Sequence, residues 1–338
     1  MNILLRWLLT TQLKPSQKQN KNNGFTLIEL LVAMILAFLV ITPLLGFMIS
    51  VLNTDGQEQA KANSEQEIKA ALDYITRDLQ QAIYIYDATG ISCLTGTADT
   101  STCPNASGNQ LASSTTTDRV PVLVFWKREF SKEAVQSTNT AGVVQKDDSF
   151  VYSLVAYYLI KDTNSNWSQA ARIARWEIKD GIINSSGSTC TGFTEKYSLC
   201  PDKGFKVFDL SQKGITLQVK MNSWTNSLAV GDTYSQVPVV LVDFIDQTTI
   251  AQGAPAVTCS TGFTQIPAAA TSIITGFYTC VNSVGTDNRS AAEVYLRGNA
   301  QARLIQNDET KVRYAQTKSS YFPSANIKVQ GSSFIFTK

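Results

Sequence analysis

The segment FTLIELLVAMILAFLVITPLLGFMISVL, residues 25–52, carries a single ionisable side chain, Glu29. At 1.5 Å per residue it would extend roughly 42 Å as a helix, ample for the hydrocarbon of a bilayer. A carboxylate in that environment is expensive, so Glu29 requires a partner. Before the segment stand Arg6, Lys14, Lys18 and Lys21 and no acid; after it come Asp55, Glu58, Lys61, Glu65 and Glu67. This asymmetry orients the N-terminus toward the cytoplasm and the bulk of the chain outside. No A-x-A pattern follows Leu52, and the cleavage point, Gly24, lies ahead of the apolar core, which keeps the helix on the mature protein. The opening MNILLRWLLT is too short, and broken by Arg6, to act as a competing signal. Pro43 removes a helical hydrogen bond and, with Gly46, predicts a kink or a short melted segment.

GFTLIELL, residues 24–31, followed by this apolar run, resembles the N-terminal signature of type IV prepilins and type II secretion pseudopilins. The resemblance implies that a prepilin peptidase cuts between Gly24 and Phe25 on the cytoplasmic side and methylates the new amine of Phe25. Glu29 then becomes the fifth mature residue, and its implied partner is the cationic amine of Phe25 on an adjacent subunit. The helix dipole favours an acid one turn into the helix, but by too little to offset membrane burial alone. Further implied partners are other pilins in a filament, an inner-membrane assembly platform, and lipid before assembly. Partial unwinding near Pro43 as subunits pack also follows from the resemblance. DYITRDLQQA resembles the matching helix of larger minor pseudopilins, those near a filament tip. AAEVYLRGNAQARL and YFPSANIKVQGSSF resemble the closing segments of cyanobacterial pseudopilins associated with polysaccharide secretion in hormogonia.

Beyond Leu52, apolar residues recur at Ile68, Ala71, Leu72, Ile75, Leu79, Ala82, Ile83 and Tyr86, one stripe of a helix. The reading is a rod from Phe25 to Tyr86, bent near Pro43 and Gly56, with its second half on a sheet. Arg77 and Asp78 read as solvated helix residues. From residue 118 the period changes to two in VPVLVFWKREF, SFVYSLVAYYLI, ARIARWEI, FKVFDL, ITLQVKM and VPVVLVDFI, all read as strands. Turn-like intervals without crossover helices make the sheet largely antiparallel. Trp126, Trp167, Trp176 and Trp224 read as core or sheet-packing residues, a ligand platform being the alternative. The expected fold is α+β and pilin-like, divided into a leader (1–24), an apolar helix (25–52), an amphipathic half (53–88) and a β-rich head (89–338).

The six cysteines, an even number and none in a CxxC, fit local pairs Cys93 with Cys103, Cys190 with Cys200, and Cys259 with Cys280. Other connectivities, or free thiols in a reducing compartment, are the alternatives. Such pairs would staple the long, weakly charged intervals 89–117 and 250–292, each limiting unfolded-chain entropy by roughly 2–4 kcal/mol.

A net charge of +2 from 29 basic and 27 acidic residues, without a basic block beyond the leader, gives no footprint for nucleic acid. The absence of histidine removes Ser-His-Asp and Cys-His nucleophiles and HExxH zinc sites. Asp147 with Asp148 and Asp243 with Asp246 read as surface or turn residues, a calcium loop being the alternative. No catalytic residue, cofactor or metal is expected. The expected function is that of a minor pseudopilin, a structural subunit of a periplasmic filament serving export or motility. The alternative is a helix-tethered adhesin or glycan-binding module. A carbohydrate enzyme would need a paired carboxylate site that the sequence does not display.

Overall fold

The computed structural model describes residues 24–97, 103, 109–112, 118–138, 144–164, 166–211, 216–284, 289–305 and 308–331. The leader's Arg6, Lys14, Lys18 and Lys21 lie outside these residues. Two compact units divide the chain at Asp55 and Gly56.

In the first unit the chain enters helix α1, Leu27–Gln80, at Thr26. The Thr26 hydroxyl accepts the Glu29 backbone N–H at 3.3 Å, and the Thr26 carbonyl accepts the N–H groups of Glu29 and Leu30. Thr26 therefore serves as an N-cap, with an acid three residues on as in a capping box. The helix runs through Pro43 without a break in its assignment. Thr42 and Thr54 return their hydroxyls to the carbonyls of Phe38 and Ser50, at 2.8 and 2.9 Å, so both polar groups are satisfied within the helix. Every residue from 24 to 55 is exposed, and this segment is apolar and long enough to cross a membrane.

In the second unit the same helix buries Ala60, Ser64, Ile68, Ala71, Leu72, Ile75, Asp78 and Leu79, a stripe at three- and four-residue spacing. Its end differs from the expected rod: α1 stops at Gln80, and Ala82–Ile85 forms strand β1, buried at all four positions. Alternating isoleucine and tyrosine suit a pleated strand, and β1 pairs antiparallel with β2, Ile85 facing Phe125. Tyr86 then donates its hydroxyl to the Met221 carbonyl and accepts the Trp126 indole N–H, both at 3.0 Å.

Helix α2 (Ala88–Thr95) follows, capped by the Asp87 carboxylate on the Gly90 N–H at 2.8 Å. Strands β2 (Arg119–Thr138), β3 (Val144–Ile160) and β4 (Ala171–Lys179) come next, then the β5 (Ile182–Thr189) and β6 (Lys196–Leu199) pair. Helix α3 (Leu217–Asn222) follows, and strand β7 (Val239–Ile245) completes the first sheet. That sheet has the order β1-β2-β3-β4-β7, every pairing antiparallel as expected. A second antiparallel sheet, β11-β10-β9-β8, contains β8 (Thr264–Ile266), β9 (Phe277–Asn282), β10 (Ala291–Arg297) and β11 (Ser324–Gln330). A short helix, α4 (Gln301–Leu304), lies between β10 and β11.

Two expected strands are absent. FKVFDL forms no regular element, and ITLQVKM contributes α3, because the Thr216 hydroxyl caps the Val219 N–H at 3.3 Å. Nor is 250–292 all loop, since it contains β8 and β9. Trp126, Trp176 and Trp224 are buried as expected, the first and last rings meeting edge to face at 5.5 Å. Trp167 is not in the core: it is 41% exposed, in the turn between β3 and β4. The disulfides are Cys93–Cys103, Cys190–Cys200 and Cys259–Cys280.

Ile75 is fully buried beneath the helix. Ile75→Ala should lower the head's stability by about 2–5 kcal/mol in urea titration, whereas Tyr74→Ala on the exposed side should cost under about 1 kcal/mol. Equal losses would contradict this packing.

Candidate functional site

The residues singled out at the helix start lie together in one turn and a half. Gly24 and Phe25 precede the N-cap and Glu29 stands in the first turn, all exposed. Phe25 is 77% exposed and Leu27 89%. With Ile28, Leu31, Ile35, Phe38 and their neighbours they form an apolar surface that the chain itself leaves uncovered. Such a surface demands lipid or other apolar helices around it. The capped start gives Glu29 a local reason to favour its position, because its backbone N–H is satisfied by Thr26 and its charge sits at the positive helix end.

A second constellation holds the lower part of α1 to the sheet. Asp78, expected to be solvated, is buried, while its neighbour Arg77 is exposed as expected. Arg175 Nε on β4 donates to Asp78 Oδ2 at 2.6 Å, and the Tyr157 hydroxyl on β3 donates to the same oxygen at 2.7 Å. Lys127 Nζ on β2 reaches Asp78 Oδ1 at 3.2 Å, Glu129 at 2.8 Å and Glu177 at 3.0 Å. Arg175 also holds Glu177 at 2.9 Å, and Lys179 holds Glu129 at 2.9 Å. Three acids therefore meet three bases around one helix residue.

Burial alone would push the Asp78 carboxyl up, but Arg175, Lys127 and the Tyr157 hydroxyl outweigh it and hold the group below its ordinary value. Glu129 and Glu177 are lowered in the same way against their own desolvation. Burial raises Tyr157, and the Asp78 charge raises it further. With its carboxylates held ionised, this cluster serves as an electrostatic clamp; it holds no proton poised for transfer near neutral pH.

The acid pairs separate in character. Asp147 and Asp148 are exposed, as expected. Asp246 is fully buried rather than on the surface: Arg297 Nε donates to it at 2.7 Å and the Thr248 hydroxyl at 2.6 Å, tying the end of β7 to β10. Asp243 accepts the N–H and hydroxyl of Ser168 at 2.9 and 2.7 Å, beside a cleft of about 1100 Å³ that Trp167 also lines. Neither the buried acids nor the cleft leaves a trace in the periodicity of the sequence.

Residues 19–45 match the family model described as the prokaryotic N-terminal methylation motif. The chain carries a type IV prepilin/pseudopilin signature. The match covers the helix start and most of its apolar half, and the head lies outside it. Comparison with curated proteins and with solved structures finds no match. The signature implies processing by prepilin peptidase and assembly with other pilins, the role of a structural subunit rather than an enzyme. With its apolar helix, the signature also points to membrane anchoring.

The clamp's effect on stability has a definite sign. A carboxyl whose folded value is depressed stabilises the fold above its unfolded value, here close to 3.8 for Asp78, and loses that contribution as pH falls through the folded value. The wild-type head should therefore weaken on acidification below about pH 4. Asp78→Asn should cost about 1–3 kcal/mol at pH 7, because Arg175 and Lys127 lose one carboxylate partner while keeping Glu177 and Glu129, and should show a flatter acid dependence. Urea titrations across pH check both; a neutral substitution with unchanged acid dependence would remove the clamp.

Proposed function

We propose that this chain is a minor pseudopilin, held in the inner membrane by residues 25–52 and released from the bilayer by joining a periplasmic filament. The observation that carries the reading is the methylation motif at the start of a helix whose apolar half is wholly exposed. In this reading prepilin peptidase cuts between Gly24 and Phe25 and methylates the Phe25 amine. The N-terminus faces the cytoplasm and the disulfide-bonded head the periplasm, an oxidising compartment that suits three disulfides. Assembly proceeds on an inner-membrane platform with other pilins.

Glu29 and the cationic amine of Phe25 on a neighbouring subunit then neutralise each other as helices pack, so a subunit alone in lipid carries an unpaired charge. Local unwinding at Pro43 on packing belongs to the same proposal, since its missing N–H makes that turn the weakest of the apolar half. Filament growth would drive export, with polysaccharide as the cargo suggested by the sequence resemblance, and support gliding. A helix-tethered adhesin is the second reading, favoured by the head cleft beside Trp167. Replacing residues 25–52 with an unrelated anchor separates the two: a pseudopilin loses its function and an adhesin keeps it.

Glu29→Val should leave the protein in the membrane and reduce its recovery in sheared filaments, or its cross-linking to other pilins, by about ten-fold or more. A salt bridge that forms only on assembly loses its partner in that variant. Recovery equal to wild type would contradict the pairing.

A further inference from the structure

We propose that the cleft between the β3–β4 turn and the end of β7 binds a neutral oligosaccharide. The proposal rests on the head alone and stands whichever role the helix has. The cleft encloses about 1100 Å³, at the upper end of volumes that hold a discrete small ligand.

Its aromatic element is Trp167, 41% exposed, an unusual placement for an indole in a head that buries Trp126, Trp176 and Trp224. The Arg172 guanidinium lies over this ring, 6.0 Å from its centroid, and is fixed in turn because Nη2 donates to both Asp162 oxygens at 2.7 Å. An anchored guanidinium thus borders the exposed indole. A rigid, amphipathic ring of this kind offers area for the C–H face of a sugar at low entropic cost.

The lining at the end of β7 carries strain. Phe244 adopts φ 56°, a left-handed conformation that a bulky residue rarely takes. It is held there by the Asp243 carboxylate, which accepts the Phe244 N–H at 2.8 Å while also accepting both donors of Ser168. The Asn299 N–H donates to the Phe244 carbonyl at 2.7 Å, and the Arg303 guanidinium lies 4.2 Å from the ring centroid. A strained aromatic retained by this many contacts at the edge of a cleft is characteristic of a functional site.

Gln247 supplies the third and independent observation. It lines the cleft, is only 4% exposed, and its Oε1 has no hydrogen-bond partner among the described residues. A buried acceptor left open calls for a donor, which a ligand O–H would supply.

Charge selects the ligand class. The cleft's cations are already committed: Lys161 to Glu309, and Arg303 to Glu67 and Ser64. Asp162 and Asp308 are paired with Arg172 and Lys311. The lining also holds the side-chain amides of Asn164, Asn166, Gln169 and Gln247, which offer donors and acceptors without a net charge. Amides beside an indole suit the hydroxyls and C–H faces of a neutral sugar, and the paired lysine and arginine of the lining offer little to uronates or phosphates.

The test uses the full chain in a detergent without a sugar headgroup. Calorimetric titration would employ neutral oligosaccharides of glucose, galactose, mannose and xylose, with a uronic-acid oligosaccharide as the anionic comparison. The expected result is saturable binding of at least one neutral oligosaccharide, weakened about ten-fold or more by Trp167→Ala and partly retained by Trp167→Phe. Gln247→Leu should also weaken it, and Trp167→Ala alone decides if that buried variant fails to fold. Absence of saturable binding to every neutral oligosaccharide, tighter binding of the uronic-acid oligosaccharide, or unchanged affinity in Trp167→Ala would each overturn the proposal.

Discussion

Helix α1 has two halves with opposite solvent requirements, and that constraint organises the rest of the molecule. Residues 25–52 are apolar on every face, so no choice of rotation about the axis shields them from water. The later turns carry one apolar stripe, which the head buries from Ala60 to Leu79. A single helix thus begins as a segment for lipid or for other helices and ends as part of a folded core. Its start is adapted to that role: Thr26 satisfies the first free N–H groups, and the hydroxyls of Thr42 and Thr54 are closed back onto the helix.

The head holds its part of the helix by more than apolar contact. Asp78 reaches three strands at once through Lys127, Tyr157 and Arg175. Charges taken from water gain little unless every one is matched, and here three acids face three bases. Close approach supports the same packing higher up, where a side chain at Gly298 would come within 3.0 Å of Ile68 Cγ1. The helix is therefore held by directional bonds to β2, β3 and β4 as well as by the core.

The long-range periodicities were legible from the residues: the 25–52 apolar run, the stripe at Ile68, Leu72, Ile75 and Leu79, and the alternation that became β2, β3, β4 and β7. Those patterns come from burial of whole faces, which repeats along the chain. Local chemistry was harder to see. ITLQVKM alternates like a strand, yet from Leu217 it forms α3 behind a Thr216 cap. Ile83 and Tyr86 fit the helical stripe by spacing, although the chain had already left the helix for β1. Asp78 and Asp246 looked solvent-facing because their partners, Arg175 and Arg297, lie 97 and 51 residues away in sequence. Trp167 looked like core because tryptophan usually is; only the fold brings it beside Phe244 and Gln247.

Only a cut at Gly24 would both retain the apolar helix and create an amine for Glu29 to meet. Intact-mass and N-terminal fragment spectra of the protein purified from membranes address this directly. The expected product is a chain that starts at Phe25 and carries a methyl group on its α-amine. A chain that retains the leader, or one that begins beyond Leu52, would contradict it.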